Sequence, residues 1–344
     1  MTAEDSRTER YLWDPAAAPD SDVQALEHRL EGARFGPARR PIVLPPLPSR
    51  GGMRLRVTFA LAAAALAVFA LAVGAWWSWR STWTAGASWA AEIESKSQPS
   101  RTIRTALAVD QPLHLAPTDS ARVNIARIGT MRVAPGSAIT LAETTSAHHR
   151  VVLDRGAASV RIWAPPGMFA FRTPSGSVRD LGCIFDLAVD ADGTARVRVD
   201  TGWVQMDNDF GESLVPAGAS ASMRRLSRPT VPIYADTSDA FMQAVRAAQD
   251  GGDAALRSEL ATILRTARRR DVLTLLMLAN VSSAAEKREL LNRAAQLWPP
   301  PSDVSVDAIV AGDREALWRW HGSLDLPPVK SWWRNWRDAL PWAQ

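Results

Sequence analysis

The chain has 344 residues, 47% of them hydrophobic and 22% charged, with a net charge of +4 and an isoelectric point near 9.8. That length leaves room for more than one domain, and the balance of apolar and charged residues excludes global disorder. A single cysteine, Cys183, excludes an intrachain disulfide, and the basic residues are scattered along the chain, which argues against nucleic acid as a partner.

Residues 1–36 read as a tail carrying one amphipathic helix. In PDSDVQALEHRLEGARFG, Ser21 or Asp22 can cap a helix that places Val23, Leu26, Leu30 and Ala33 on one face, and Gly36-Pro37 would stop it. A lone helix of this length is marginal in water. Its apolar stripe, with Tyr11, Leu12 and Trp13 just upstream, is therefore expected to dock on a partner. Residues 37–54 (PARRPIVLPPLPSRGG and its flank) form a stiff Pro/Arg-rich linker.

A transmembrane helix is expected over 55–79. Val57 to Trp79 runs without a charge, and as a helix it would span roughly 34 Å, enough for the ~30 Å core of a bilayer. More than fifty polar and Pro-rich residues precede it, which does not fit a cleaved signal peptide. Arg39, Arg40, Arg50, Arg54 and Arg56 lie before the run and only Arg80 close after it, so the positive-inside rule puts the N-terminus in the cytoplasm. Trp76, Trp77, Trp79 and Trp83 suit an interfacial belt at the far end. Residues 80–101 form a juxtamembrane segment with no clear pattern.

From 102 to 228 the pattern is all-β. Short alternating or β-branched runs such as RVNIA, RVVL, FAFRT, IFDLAVD, ARVRVD and WVQMD are punctuated by Gly, Pro and Asp. Asp192-Gly193 is a hairpin signal, because both residue types tolerate positive φ. Strands so closely spaced predict a sandwich, a roll or a short β-solenoid. From 235 to 344 the period changes to 3.6. Asp236-Thr237-Ser238 can cap a helix that Gly251-Gly252 ends, Leu256, Leu260, Ile263 and Leu264 stripe the next, and VLTLLMLANV and the capping-box start Ser283-x-x-Glu286 open two more. Trp318, Trp320, Trp332, Trp333, Trp336 and Trp342 close the chain. The expected whole is a multi-domain membrane protein: one transmembrane α-helix, an all-β domain and a C-terminal stack of α-helical hairpins.

Catalytic and metal motifs are missing. His148 and His149 are adjacent, and neighbours on a strand face opposite ways. No Gly-x-Ser-x-Gly, P-loop, His-Glu-x-x-His or Cys-x-x-Cys occurs, and Asp190-x-Asp192-Gly193 lacks the downstream ligands of a calcium loop. No catalytic, cofactor-binding or metal residue can be nominated, so a non-enzyme without cofactor is expected.

Phe171 to Met206 (FRTPSGSVRDLGCIFDLAVDADGTARVRVDTGWVQM) resembles the central signature of the FecR domain family. The matching positions are Thr173-Pro174-x-Gly176, Leu181-Gly182-Cys183, Phe185, the hairpin at Asp192-Gly193 and Gly202-x-Val204. The later LVPAGASASM looks like the family's closing strand, with Gly218 at its glycine. Cys183 stands where the family usually has Thr, the N-terminal tail is shorter than the family's helical anti-sigma domain, and the C-terminal helices are an addition. The resemblance implies a periplasmic β domain in a single-pass regulator of the bacterial inner membrane, whose cytoplasmic end binds an extracytoplasmic-function sigma factor. Its implied partners are that sigma factor, a periplasmic or outer-membrane protein and the lipid bilayer. The alternative is a membrane-anchored scaffold that binds another envelope protein or a glycan.

Overall fold

The computed structural model describes residues 21–33, 51–96 and 101–326. The chain divides into two compact units between Val68 and Phe69. In the first, α1 (Ser21–Leu30) buries none of its residues, and Leu26 and Leu30 are more than half exposed. Tyr11, Leu12 and Trp13 lie outside the described residues. The division falls within α2 (Gly51–Ser81), whose residues from Leu61 to Trp76 are all exposed. Among the described residues no helix is long and apolar enough to cross a membrane.

Fifteen strands follow: β1 (Trp89–Ser95), β2 (Arg101–Leu107), β3 (Pro112–His114), β4 (Asp119–Ile125), β5 (Gly129–Val133), β6 (Ala138–Thr144), β7 (His149–Ile162), β8 (Phe169–Thr173), β9 (Gly176–Asp180), β10 (Ile184–Val189), β11 (Ala195–Thr201), β12 (Trp203–Asn208), β13 (Gly211–Pro216), β14 (Ala219–Met223) and β15 (Ile233–Tyr234). Sheet A has the order β2-β1-β4-β5-β7-β10-β11-β14-β15, and sheet B the order β3-β6-β7-β8-β9-β12-β13. Strand β7 belongs to both. Its first half pairs with β6 and, in parallel, with β8, and from Gly156 onward it pairs with β5 and β10.

The bend in β7 follows from chain length. Laid straight, its residues would span roughly 43 Å, yet Phe169 pairs with His149 only seven residues after Ile162, a reach of at most about 25 Å. The strand must therefore fold over on itself. The buried residues change phase across the bend, from His149, Val151 and Leu153 to Ala158, Val160 and Ile162, so both halves point into one core. Gly156 sits at the turning point with φ +95°, and a Cβ there would lie 2.6 Å from the Cα of Ser137.

The signature residues occupy the other places where the chain turns. Thr173-Pro174-Ser175-Gly176 joins β8 to β9, with the Thr173 hydroxyl donating to the Gly176 carbonyl at 3.0 Å. Ser175 Oγ donates to the Gly193 carbonyl at 2.6 Å, which ties this turn to the β10–β11 hairpin. In that hairpin only Gly193 takes positive φ, and the Asp192 carboxylate instead accepts bonds from the Thr194 amide and hydroxyl. Leu181-Gly182-Cys183 carries the chain from sheet B to sheet A, Gly202 carries it back, and Gly218 crosses once more between β13 and β14. Phe185 and Val204 fill the core, where Phe185 lies edge-on to Phe171 at 6.2 Å.

Two segments that the sequence left unassigned are strands. Trp89 in β1 is fully buried, and residues 229–234 supply β15 at the edge of sheet A. The helices dock there. They are α3 (Asp239–Thr266), α4 (Val272–Val281), α5 (Ala284–Leu297), α6 (Val306–Val310) and α7 (Arg314–Gly322), around a second core that includes Phe241, Leu276, Leu291 and Trp320. Ser238 caps α3 by accepting from the Phe241 amide, and Gly252, at φ +64° and ψ −154°, is non-helical and divides α3 into two helices, at the Gly251-Gly252 pair where the sequence places the break. Ser283 precedes α5, but its hydroxyl donates to the Glu286 carboxylate and makes no bond to the helix backbone, so the two residues pair with each other in place of a capping box. The Thr274 hydroxyl donates to the Pro232 carbonyl at 2.7 Å and the Val231 amide to Gln249 Oε1 at 2.5 Å, which fastens the helices to β15.

At Gly202, with φ +77°, a Cβ would meet the Gly182 carbonyl oxygen at 2.3 Å, whereas at Gly167, with φ +83°, it would meet nothing within 4 Å. Gly202→Ala is expected to destabilise the protein by about 2 kcal/mol or more, and Gly167→Ala by only about 1 kcal/mol of backbone strain. Thermal or denaturant unfolding of the two variants checks the difference. Equal losses would remove the close approach as the cause.

Candidate functional site

Sheet A buries one face against sheet B, so alternate side chains of its strands project to the other side. On β5 this is Arg132, on β7 Ala157 and Ser159, on β10 Asp186 and Ala188, on β11 Arg196 and Arg198, and on β14 Ser220 and Ser222. Helix α3 runs beside this face and contributes Arg246, Gln249 and Asp250. Together they line a cleft of about 820 Å³, within the range of roughly 300–1,000 Å³ typical of ligand sites. Its floor is low because it is built of alanine and serine.

The cleft is electropositive: Arg132, Arg196, Arg198, Arg224 and Arg246 line it, against Asp186 and Asp250. Both aspartates are engaged. Asp186 accepts from Arg198 at 3.1 Å and from Ser159 Oγ at 2.6 Å, and Asp250 pairs with Arg224 at 2.9 Å. The Asp186 bond and the nearby Asp200 charge raise the Arg198 pKa. Arg196 reaches out to Asp190 at 2.6 Å. Among the described residues, Arg132 and Arg246 have no carboxylate within ion-pair distance. The register also sets Arg122 directly opposite Arg132. Like charges in that position repel.

A row of this kind can bind anions. Among the described residues no cluster of His, Cys, Asp or Glu could hold a metal ion. The sequence-predicted residues lie elsewhere. Val23, Leu26 and Leu30 sit on α1, and Thr173, Pro174, Gly176, Leu181, Gly182, Cys183, Phe185, Gly202, Val204 and Gly218 build the turns, corners and core of the β domain. Cys183 is fully buried, its amide donates to Asp180 Oδ1 at 2.8 Å, and its thiol lies against the same carboxylate. The cleft arginines are dispersed in the chain and form no motif. The alternation in ARVRVD, which puts Arg196 and Arg198 on one face, was the available signal.

A buried polar cluster lies between the sheets, away from the cleft. The Trp89 indole donates to Thr144 Oγ1 at 3.0 Å, and Thr144 Oγ1 lies 2.8 Å from His149 Nδ1. The Thr144 hydroxyl thus links the indole and the imidazole in one buried chain of hydrogen bonds. Burial, with the His148 charge adding to it, lowers the His149 pKa to about 4.

No protein-family sequence profile matches the chain, and no curated protein matches it. The FecR likeness therefore rests on the residues named above. Among solved structures, the chain is similar to two crystal structures of a protein from Parabacteroides distasonis provisionally named an anti-sigma factor. Both are 18% identical with a TM-score of 0.32. The similarity covers 40% of this chain and 65% of the first, just under two thirds of its length, and 44% and 74% for the second.

A lowered histidine pKa makes stability fall as the medium is acidified. Between pH 6.5 and about 4 the unfolded chain binds a proton at His149 that the folded chain refuses, a loss of up to ~3 kcal/mol across that window. His149→Leu is expected to flatten that part of the stability–pH curve and to leave the slope above pH 7 unchanged. Denaturant unfolding from pH 4 to 8 tests this, and identical curves for the two proteins would refute it.

Proposed function

We propose that the chain is a single-pass signalling regulator of the bacterial inner membrane, with α2 in the bilayer, the β and helical domains in the periplasm, and the N-terminal segment in the cytoplasm. The charge-free run from Val57 to Trp79 and the arginines before it support this topology. So does the exposure of Leu61, Leu66, Phe69 and Leu71, each about two thirds exposed or more, since apolar side chains on every side of a helix suit lipid better than water. The FecR-like signature supports a regulatory role, and the exposed Leu26 and Leu30 suit α1 to a cytoplasmic sigma factor of the extracytoplasmic-function class.

The observation that carries the relay reading is the junction between α2 and the β domain. Arg127, in the β4–β5 turn, donates to the Trp79 carbonyl at 2.8 Å and the Thr82 carbonyl at 3.3 Å. Its guanidinium also lies over the Trp79 ring, 4.1 Å from the centroid. A cation at the C-terminal end of a helix meets both its unsatisfied carbonyls and its dipole. Trp163 holds the other side of the turn through a 3.0 Å bond to the Arg127 carbonyl. The preceding Ala126 has φ +45°, a strained conformation for a residue with a side chain. A movement of the β domain thereby reaches the helix through one turn.

Two measurements test this. Residues 1–52 used as bait against the source organism's sigma factors should retain one at micromolar concentration, and no retained factor would remove the anti-sigma part. Arg127→Ala should abolish the response of the sigma-dependent promoter while the unfolding midpoint stays within about 1 kcal/mol of the parent. An unaltered response would show that the junction relays nothing.

A further inference from the structure

We infer that the arginine-lined cleft on the outer face of sheet A binds an extended acidic peptide segment of a partner protein. This goes beyond the regulator reading and does not depend on what α1 binds. Three observations lead to it. First, part of the charge is uncompensated: Arg132 and Arg246 line the cleft with no ion pair among the described residues, and Arg122, which has Glu92 across from it on β1, stands directly opposite Arg132 on its other side. A sheet face that holds like charges side by side is relieved when an anion settles on it.

Second, the spacing fits a peptide. Arg196 and Arg198 alternate along β11, which puts them about 7 Å apart, the interval at which an extended chain presents successive side chains on one face. Arg132 stands three strands away from Arg198, about 14 Å across the sheet and at right angles to that spacing, so it flanks the path of a chain lying along β11. Third, the lining argues against single-stranded nucleic acid. It contains no Phe, Tyr or Trp, whereas single-stranded nucleic acid is held largely by stacking on aromatic rings. The floor of Ala157, Ala188 and Ser220 leaves room for a backbone to lie flat.

The probe is a fluorescein-labelled octapeptide of alternating Glu and Thr, titrated by anisotropy against the full-length chain in detergent micelles. Binding with a Kd near 10 μM at low salt is expected, weakening by about tenfold or more when the ionic strength is raised above 0.2 M. The double variant Arg132→Ala/Arg246→Ala, which removes only exposed and unpaired side chains, should weaken it by a similar factor. As an independent variant, Ser222→Asp puts a carboxylate on the cleft floor and should do the same. The matching Lys-Thr peptide should not bind. No binding at about 1 mM, affinity unchanged in both variants, or arginine-dependent binding of polygalacturonate in place of the peptide would each overturn the proposal.

Discussion

The architecture turns on one bend. Strand β7 passes from sheet B to sheet A between Arg155 and Gly156, and the two sheets face each other because this strand is folded in half. Ser137 backs the bend with its side chain: its Oγ accepts from the Ala157 amide at 3.0 Å and donates to the Ala157 carbonyl at 3.3 Å. Ser137 is itself fully buried. The Ala157 carbonyl also accepts from the Ala134 amide at 2.8 Å, and Ala157 pairs with Ala188 in the β7–β10 ladder, so the bend is bonded on both sides. A side chain at Gly156 could not coexist with Ser137, so the absence of a Cβ and the serine hydroxyl belong to one device.

From this bend the remaining turns follow. The later strands come in pairs within one layer, and the chain changes layers between those pairs at Gly182, Gly202 and Gly218. The signature is thus a record of where the backbone crosses between the sheets. It carries architecture and no chemistry. Because both inner faces are committed to the core, recognition is left to the outer faces. Helix α3 turns one of these into a cleft, and it can do so because β15 anchors the helical domain at the edge of the same sheet through Thr274 and Gln249.

The two ends of the β domain are therefore put to different uses. At the β4–β5 turn, Arg127 joins sheet A to the end of the apolar helix, and across the outer face a further row of arginines stays open. The same sheet that would receive an acidic partner is thus bonded directly to α2. Strands connected by continuous hydrogen bonding transmit displacement better than loops, which places binding site and helix end on one stiff body.

Much of this could be read from the chain alone. Alternation of period two marked β10 and β11, Asp192-Gly193 their hairpin, Ser238 the start of α3, and the stripe of Leu256, Leu260 and Ile263 its buried side. These are local properties, decided by propensities and side-chain period within a few residues. Strand β1 and the edge strand β15 were not legible. Trp89 becomes a core residue only because Thr144 and His149, more than fifty residues away, surround it, and β15 is a strand only because β14 offers it a ladder. Nor could sequence show the bend in β7, since a phase change in the alternation between Leu153 and Ala158 looks like the end of a strand. The cleft was hidden for the same reason. Arg132, Arg198 and Arg246 are separated by up to more than a hundred residues, and only the pairing of β5, β7, β10 and β11, with α3 laid alongside, brings their charges together.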